Sequence, residues 1–163
     1  MTTVAYRAGI MACDSCWTYG GDVDTLGTKI ARLKSGALLG QAGDNDARHV
    51  IAMLASVKTE KQLPSYPELD AIRLDFMGLL VLPNKRMFKI ATELKEPAHR
   101  DPEEDGPGVW EVEGDFTAIG SGMAYAIGAM EAGANARQAV RIACRRDTNS
   151  RPPVHTLSFP EKK

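Results

Sequence analysis

Short apolar runs separated by turn residues fill the first forty positions, which read as strands and tight turns, and the period changes to helical spacing from Asp44. Thr2-Thr3-Val4-Ala5-Tyr6 is rich in β-formers, Arg7-Ala8-Gly9 offers a turn, and Ile10 to Cys13 continues a strand. Beyond the glycine loop at Gly20-Gly21, Lys29 to Leu33 and Ala37 to Gly40 flank Lys34-Ser35-Gly36. That pattern predicts a hairpin with glycine at a position needing positive φ. From Asp44 onward, Ala47, Val50, Ile51, Leu54 and Val57 fall on one helical face, with Asp44, Asn45 or Asp46 available as N-cap. Leu63-Pro64 and Tyr66-Pro67 are read as helix breakers. Met77 to Leu82 and Met87 to Ile90, joined by Pro83-Asn84-Lys85, predict a second hairpin, and Phe116 to Ile119 predicts a short strand ending in Gly120-Ser121-Gly122. Two helices follow: Met123 to Ala132, stopped by Gly133, and one opened by a capping box at Asn135-Ala136-Arg137-Gln138. Val154 to Phe159 is the last strand.

Strands, helix, strands, two helices, strand is a segregated order. It predicts two antiparallel sheets covered by helices, an α+β sandwich. With 163 residues, 44% apolar and 25% charged, the chain reads as one globular domain, residues 1–163. A net charge of -1 gives no reason to expect nucleic acid or an anionic membrane as partner. No apolar run reaches the length of a membrane span. Arg7 and Ala8-Gly9 interrupt the start too early for a secretory signal. Three cysteines, Cys13, Cys16 and Cys144, suit a reducing cytoplasm.

Charge is unevenly spread. Nine acids stand against Lys95 and Arg100 between Glu93 and Asp115, a net of about -7, which leaves about +6 for the rest. Pro97, Pro102, Gly106, Pro107 and Gly108 interrupt this stretch. It reads as an acidic excursion within the domain, at the tip of a hairpin.

Thr2 carries the first candidate chemistry. A small residue after Met1 permits removal of the methionine, leaving a hydroxyl and a free α-amine on one residue. An α-amine titrates near about 7.7–8.0, so part of it is an unprotonated base at neutral pH, and threonine with its own N-terminal amine is an activated nucleophile. Met-Thr alone is also a common processed start.

Six motifs in order change that balance: Thr2-Thr3-Val4; Ala12-Cys13-Asp14 with Thr18 four residues on; Thr28-Lys29-Ile30-Ala31-Arg32-Leu33; Leu39-Gly40-Gln41-Ala42-Gly43-Asp44; Ile119-Gly120-Ser121-Gly122; and Asp147-Thr148-Asn149-Ser150. Together they resemble the proteasome β-type subunits and the bacterial peptidase HslV, most closely the short betaproteobacterial proteasome homologs. The resemblance covers nearly the whole chain. It implies a four-layer αββα sandwich of N-terminal-nucleophile hydrolase type and a threonine endopeptidase that needs no cofactor or metal.

The resemblance also implies roles. Thr2 supplies Oγ as nucleophile and its amine as base. Lys29 favours the unprotonated amine and stabilises the alkoxide, and Asp14 aims Lys29. The Gly40 N–H donates to the oxyanion, a contact worth about 10²–10³ in rate. Ser121, Asp147 and Ser150 support the amine. Thr18 pairs its backbone with substrate, Leu38 lines the pocket for the residue before the cut, and Ala42 is a further substrate-binding position. The implied assembly is a stacked double homo-oligomeric ring of seven subunits, as in proteasomes, or six, as in HslV, acting on unfolded polypeptides; the shortened stretch from Lys58 to Arg73 favours seven.

Other readings stand beside these. Without the resemblance, Asp14 and Lys29 are a surface ion pair, and Gly120-Ser121-Gly122 is a helix cap. Cys13-Asp14-Ser15-Cys16 has dithiol spacing but no βαβ setting. His49, His99 and His155 lack ligand spacing. The segment from Lys58 to Arg73 is short for a second helix, which argues against an AAA+ unfoldase partner. A silent ring scaffold and a small-molecule amidohydrolase are the rival functions.

Overall fold

The structure, a computed structural model, describes residues 2–19, 22–24, 28–43, 47–72, 74–92 and 107–160. Met1, the Gly20-Gly21 loop, the N-cap candidates Asp44, Asn45 and Asp46, and positions 93–106 of the acidic excursion lie outside them.

Two antiparallel sheets form the centre. One comprises β1 (Thr3–Arg7), β2 (Ile10–Cys13), β10 (Phe116–Gly120) and β11 (His155–Ser158), in the order β10-β1-β2-β11. The other runs β5 (Ile30–Arg32), β6 (Leu38–Gly43), β7 (Phe76–Val81), β8 (Met87–Thr92) and β9 (Gly108–Val112) in sequence order. Helices α1 (Arg48–Leu54) and α2 (Tyr66–Asp70) cover the five-stranded sheet, and α3 (Met123–Glu131) and α4 (Ala136–Arg146) cover the four-stranded one. A ribbon of β3 (Trp17–Tyr19) and β4 (Asp22–Asp24) belongs to neither sheet.

Three apolar clusters fill the three gaps of this αββα stack. Val50, Leu54 and Leu69 meet Phe76, Leu80 and Phe88 under α1 and α2. Val4, Tyr6 and Met11 meet Leu38, Leu79 and Val81 between the sheets. Ala126, Met130, Ala139 and Val140 meet Ala5, Ala12 and Ala118 under α3 and α4. β7 therefore buries both faces, which explains its unbroken Gly-Leu-Leu-Val run where a half-exposed strand would alternate. Alanines on the outer face of β1, β2 and β10 let the helices lie close.

Local signals set several boundaries. Gly36 (φ +86) closes the β5–β6 turn and Gly133 (φ +96) follows α3. Asn135 accepts from the Gln138 N–H while Gln138 returns a bond to the Asn135 N–H. Two expectations need correction. α1 starts at Arg48 after Ala47, with no side-chain cap, and Val57 is buried beyond its end. Pro67 does not break a helix but sits in the first turn of α2, where its missing N–H costs nothing. The 58–72 stretch thus holds only a 3₁₀ turn (Glu60–Gln62) and five-residue α2.

Candidate active site

β1 is an inner strand, so the chain start is held from both sides. Thr3 pairs with Gly120 of β10, and the Asp14 N–H donates to the Thr3 carbonyl at 3.1 Å. Thr2 is 3% exposed.

The glycines of Gly120-Ser121-Gly122 are moulded to this start. A Cβ at Gly120 would lie 2.0 Å from the Thr2 carbonyl oxygen, and one at Gly122 2.0 Å from Thr3 Oγ1. The turn does lead into α3, but Gly122 caps it with no side-chain bond, and close approach is what demands glycine.

Asp14 gathers four donors while fully buried. Oδ1 accepts from the Thr3 N–H at 2.8 Å and Lys29 Nζ at 3.1 Å. Oδ2 accepts from the Cys16 N–H at 2.8 Å and the Arg151 N–H at 3.2 Å. Lys29 is 1% exposed, also donates to the Cys16 carbonyl, and lies 5.2 Å from the centre of the Trp17 ring. The surface-pair reading is therefore overturned: this pair is interior.

A second network faces Thr2 and Thr3 from the α4 end. Ser150 Oγ donates to Asp147 Oδ2 at 2.6 Å. Its single proton is thereby used, so the 2.6 Å contact with Thr3 Oγ1 has Thr3 as donor. Ser121 Oγ donates to the same Asp147 oxygen at 2.7 Å and lies 3.4 Å from the Thr2 carbonyl oxygen. Burial pushes the Asp147 pKa up as the largest single influence. The bonds from Ser150, Ser121 and the Asn149 N–H outweigh it and hold the carboxyl below its ordinary value.

Thr2, Asp14, Lys29, Ser121, Asp147 and Ser150 are thus brought together. Thr3 belongs with them and escaped sequence reasoning, although it adjoins Thr2 and is completely buried. Gly40 and Leu38 are elsewhere. Leu33 N to Ala37 O and Gln41 N to Lys29 O mark the directly bonded pairs of β5 and β6. By alternation, the Gly40 N–H faces β7, opposite Leu79, and is spent in the ladder. Gly40 is glycine because a Cβ there would meet Val4 Cγ1 at 2.4 Å. The oxyanion expectation for Gly40 is corrected accordingly. Leu38 is completely buried between the sheets and offers no surface to a ligand, which corrects its pocket assignment.

Ala42 is half-buried at the end of β6, opposite Met77. Gly43 follows with φ +98, and its bare Cα leaves room for the Asp75 carbonyl. Thr18 occupies the middle of β3, opposite Val23 of β4, and the other edge of β3 carries no strand among the described residues.

Among the described residues no cluster could hold a metal ion, and no helix is long and apolar enough to cross a membrane. Cys13, Cys16 and Cys144 are free thiols. Burial raises the Cys13 pKa and pushes Cys144 to about 11, so neither is a poised nucleophile. A cleft of about 1070 Å³ opens at the opposite end of β1, between the turns at Ala8-Gly9, Ser35-Gly36 and Pro83–Lys85, away from this chemistry.

No family model matches the sequence, and no curated protein matches it. Solved structures do. BPH of Thiobacillus denitrificans, a bacterial proteasome homologue, superposes with a TM-score of 0.62 at 20% identity over 99% of both chains. Its complex with epoxomicin gives 0.64 at 21%, over 98% of this chain and 99% of that one. Eukaryotic HslV from Trypanosoma brucei gives 0.68 at 22%, over 96% and 99%. At these identities the likeness is one of architecture: the chain has the proteasome β/HslV-like fold, an α+β sandwich of two antiparallel sheets between helix layers.

Proposed function

We propose that this chain is the subunit of a threonine-type endopeptidase whose nucleophile is Thr2 after loss of Met1. The observation that carries the reading is the buried Lys29–Asp14 pair, because Asp14 Oδ1 also grips the Thr3 N–H, one residue from Thr2. Burying two charges is costly and not needed for a stable core; here it brings a cation to the chain start.

In the proposed reaction Thr2 Oγ attacks the scissile carbonyl and its proton passes to the Thr2 amine. The amine then protonates the departing amine of the substrate, leaving an ester on Thr2. Water attacks that ester, again giving its proton to the amine, and Oγ regains a proton as the acid leaves. Lys29 stabilises the negative charge developing on Oγ and disfavours protonation of the amine in the resting state. Asp147, with Ser121 and Ser150, favours the amine once it has accepted the proton. The oxyanion donor is sought at Gly43, the last residue of β6. The edge of β3 that carries no strand among the described residues suits an extended peptide added as a strand.

The proposed assembly is a cytoplasmic double ring of identical subunits, heptameric rather than hexameric, degrading unfolded polypeptides. Free cysteines support a reducing compartment. The short α2 region supports the absence of an AAA+ unfoldase groove.

Intact mass is the first test, since Thr2 acts only with Met1 gone. Epoxomicin, bound by Thiobacillus BPH, then serves as probe. The processed chain is expected to cleave peptides and gain one epoxomicin per Thr2, with both lost in Thr2→Ala and partly kept in Thr2→Ser. Full activity in the alanine variant overturns the reading. Assembly without cleavage identifies a silent scaffold, and turnover of small amides alone identifies an amidohydrolase.

A further inference from the structure

The outer face of α4 is a ridge of arginines. Ala136, Ala139, Val140 and Ala143 turn inward, and Arg137, Arg141 and Arg145 stand exposed at successive intervals of four. Arg146 lies beside them on the next ridge, next to half-exposed Ile142. The helix has no acid anywhere in it. Among the described residues none of these arginines has a carboxylate within ion-pair distance.

This arrangement works against the helix itself. Like charges four residues apart repel, and here that happens twice along one ridge. Arg145 and Arg146 do complement the C-terminal end of the helix dipole, but Arg137 sits in the first turn, where a cation is unfavourable. Local helix stability does not explain the pattern, and a partner of opposite charge does.

The chain carries such a partner in its own sequence. Positions 93–106 hold Glu93, Glu96, Asp101, Glu103, Glu104 and Asp105 against Lys95 and Arg100. β8 and β9 bring the ends of this segment together at the far edge of the five-stranded sheet. The same copy cannot easily meet the ridge. Stacked sheets are about 10 Å apart, a covering helix puts its axis about 10 Å further out, and its own side chains extend about 5 Å beyond that axis. The α4 surface is therefore about 25 Å away before any sideways offset is counted. Fifteen residues between Thr92 and Gly108, at about 3.3–3.6 Å each, must go out and come back, so they reach about 25 Å at full extension. A second molecule has no such limit.

We propose that the arginine ridge of α4 docks the acidic 93–106 segment of a second copy of this chain. The inference rests on the oligomeric assembly proposed above and names one of its contacts. Complementary charge would orient the encounter and select the register, with a strong dependence on salt. It also accounts for a chain that is nearly neutral in total yet divided into a strongly acidic stretch and a basic remainder.

Charge reversal tests this with the full-length chain. R137E/R141E/R145E and E103R/E104R/D105R are each expected to raise the dissociation constant of assembly at least about tenfold in about 0.15 M salt. Sedimentation velocity or mass photometry reads the change, and thermal melting confirms that each variant is folded. The six-fold variant carrying both reversals is expected to return to within about threefold of wild type. Assembly of the arginine variant like wild type overturns the contact and leaves the compartment intact, as does failure of the combined variant to recover. Binding of duplex DNA to the ridge, with assembly indifferent to its reversal, also overturns it. A wild-type chain that stays monomeric at micromolar concentration overturns both the contact and the proposed ring.

Discussion

Lys29 Nζ lies 3.1 Å from Asp14 Oδ1, and neither side chain is exposed to solvent. Removing one member leaves the other buried without its partner, which typically costs about 3–5 kcal/mol. Lys29→Ala is therefore expected to lower stability by an amount of that order in chemical denaturation. Peptidase turnover, measured where the variant is still folded, should fall by orders of magnitude. Arginine should not rescue it, because a planar fork cannot occupy the space of an ammonium between Asp14, the Cys16 carbonyl and Trp17. A turnover loss below about threefold would assign the pair to stability alone.

Asp147 gives a pH prediction. Its carboxyl titrates below the ordinary value in the folded chain, so its contribution is present above the unfolded pKa and is lost as pH falls through the folded one. Wild type should lose stability between about pH 5 and pH 2 more steeply than Asp147→Asn. Parallel acid limbs in urea titrations of the two proteins would show that Ser121 and Ser150 do not hold the carboxylate as the geometry requires.

Gly40→Ala probes the contact between the sheets. Its new methyl would fall 2.4 Å from Val4 Cγ1 and 3.2 Å from Met11 Sδ. Overpacking of this kind typically costs about 1–3 kcal/mol. A lowered melting temperature is expected, and Val4→Ala in the same chain should recover part of it. No change in melting would mean that the sheets separate freely there.

The thiols should be quiet. Cys13 and Cys16 are buried and Cys144 is pushed to about 11. Iodoacetamide at about pH 8 should leave the native chain largely unmodified and alkylate all three cysteines after denaturation. Rapid labelling of native Cys144 would contradict its placement against α4's neighbours.

The elements were legible where the signal is local. A capping box at Asn135 and Gln138, a glycine with positive φ at Gly36, and the helical stop at Gly133 act within a few residues. Neighbouring side chains and backbone decide them before any tertiary contact forms. Pro67 shows the margin of error even here, because a proline after Ser65 and Tyr66 starts a helix as readily as it ends one.

The residue types of the candidate site were equally present in the sequence: a threonine behind Met1, an aspartate, a lysine, and a Ser–Asp–Ser set far downstream. What each side chain touches was not. Gly40 and Leu38 lie in the same glycine-bearing stretch as Ala42, and nothing along the chain distinguishes a strand buried on both faces from one lining a cleft. Only stacking of the two sheets at Val4 and Met11 encloses both residues, and only the pairing of β6 with β7 commits the Gly40 N–H. Thr3 became part of the network for the same reason. Its N–H reaches Asp14, eleven residues away, and its hydroxyl reaches Ser150, 147 residues away. Such bonds depend on the register of β1 between β2 and β10, which forms only when sequence-distant strands come together.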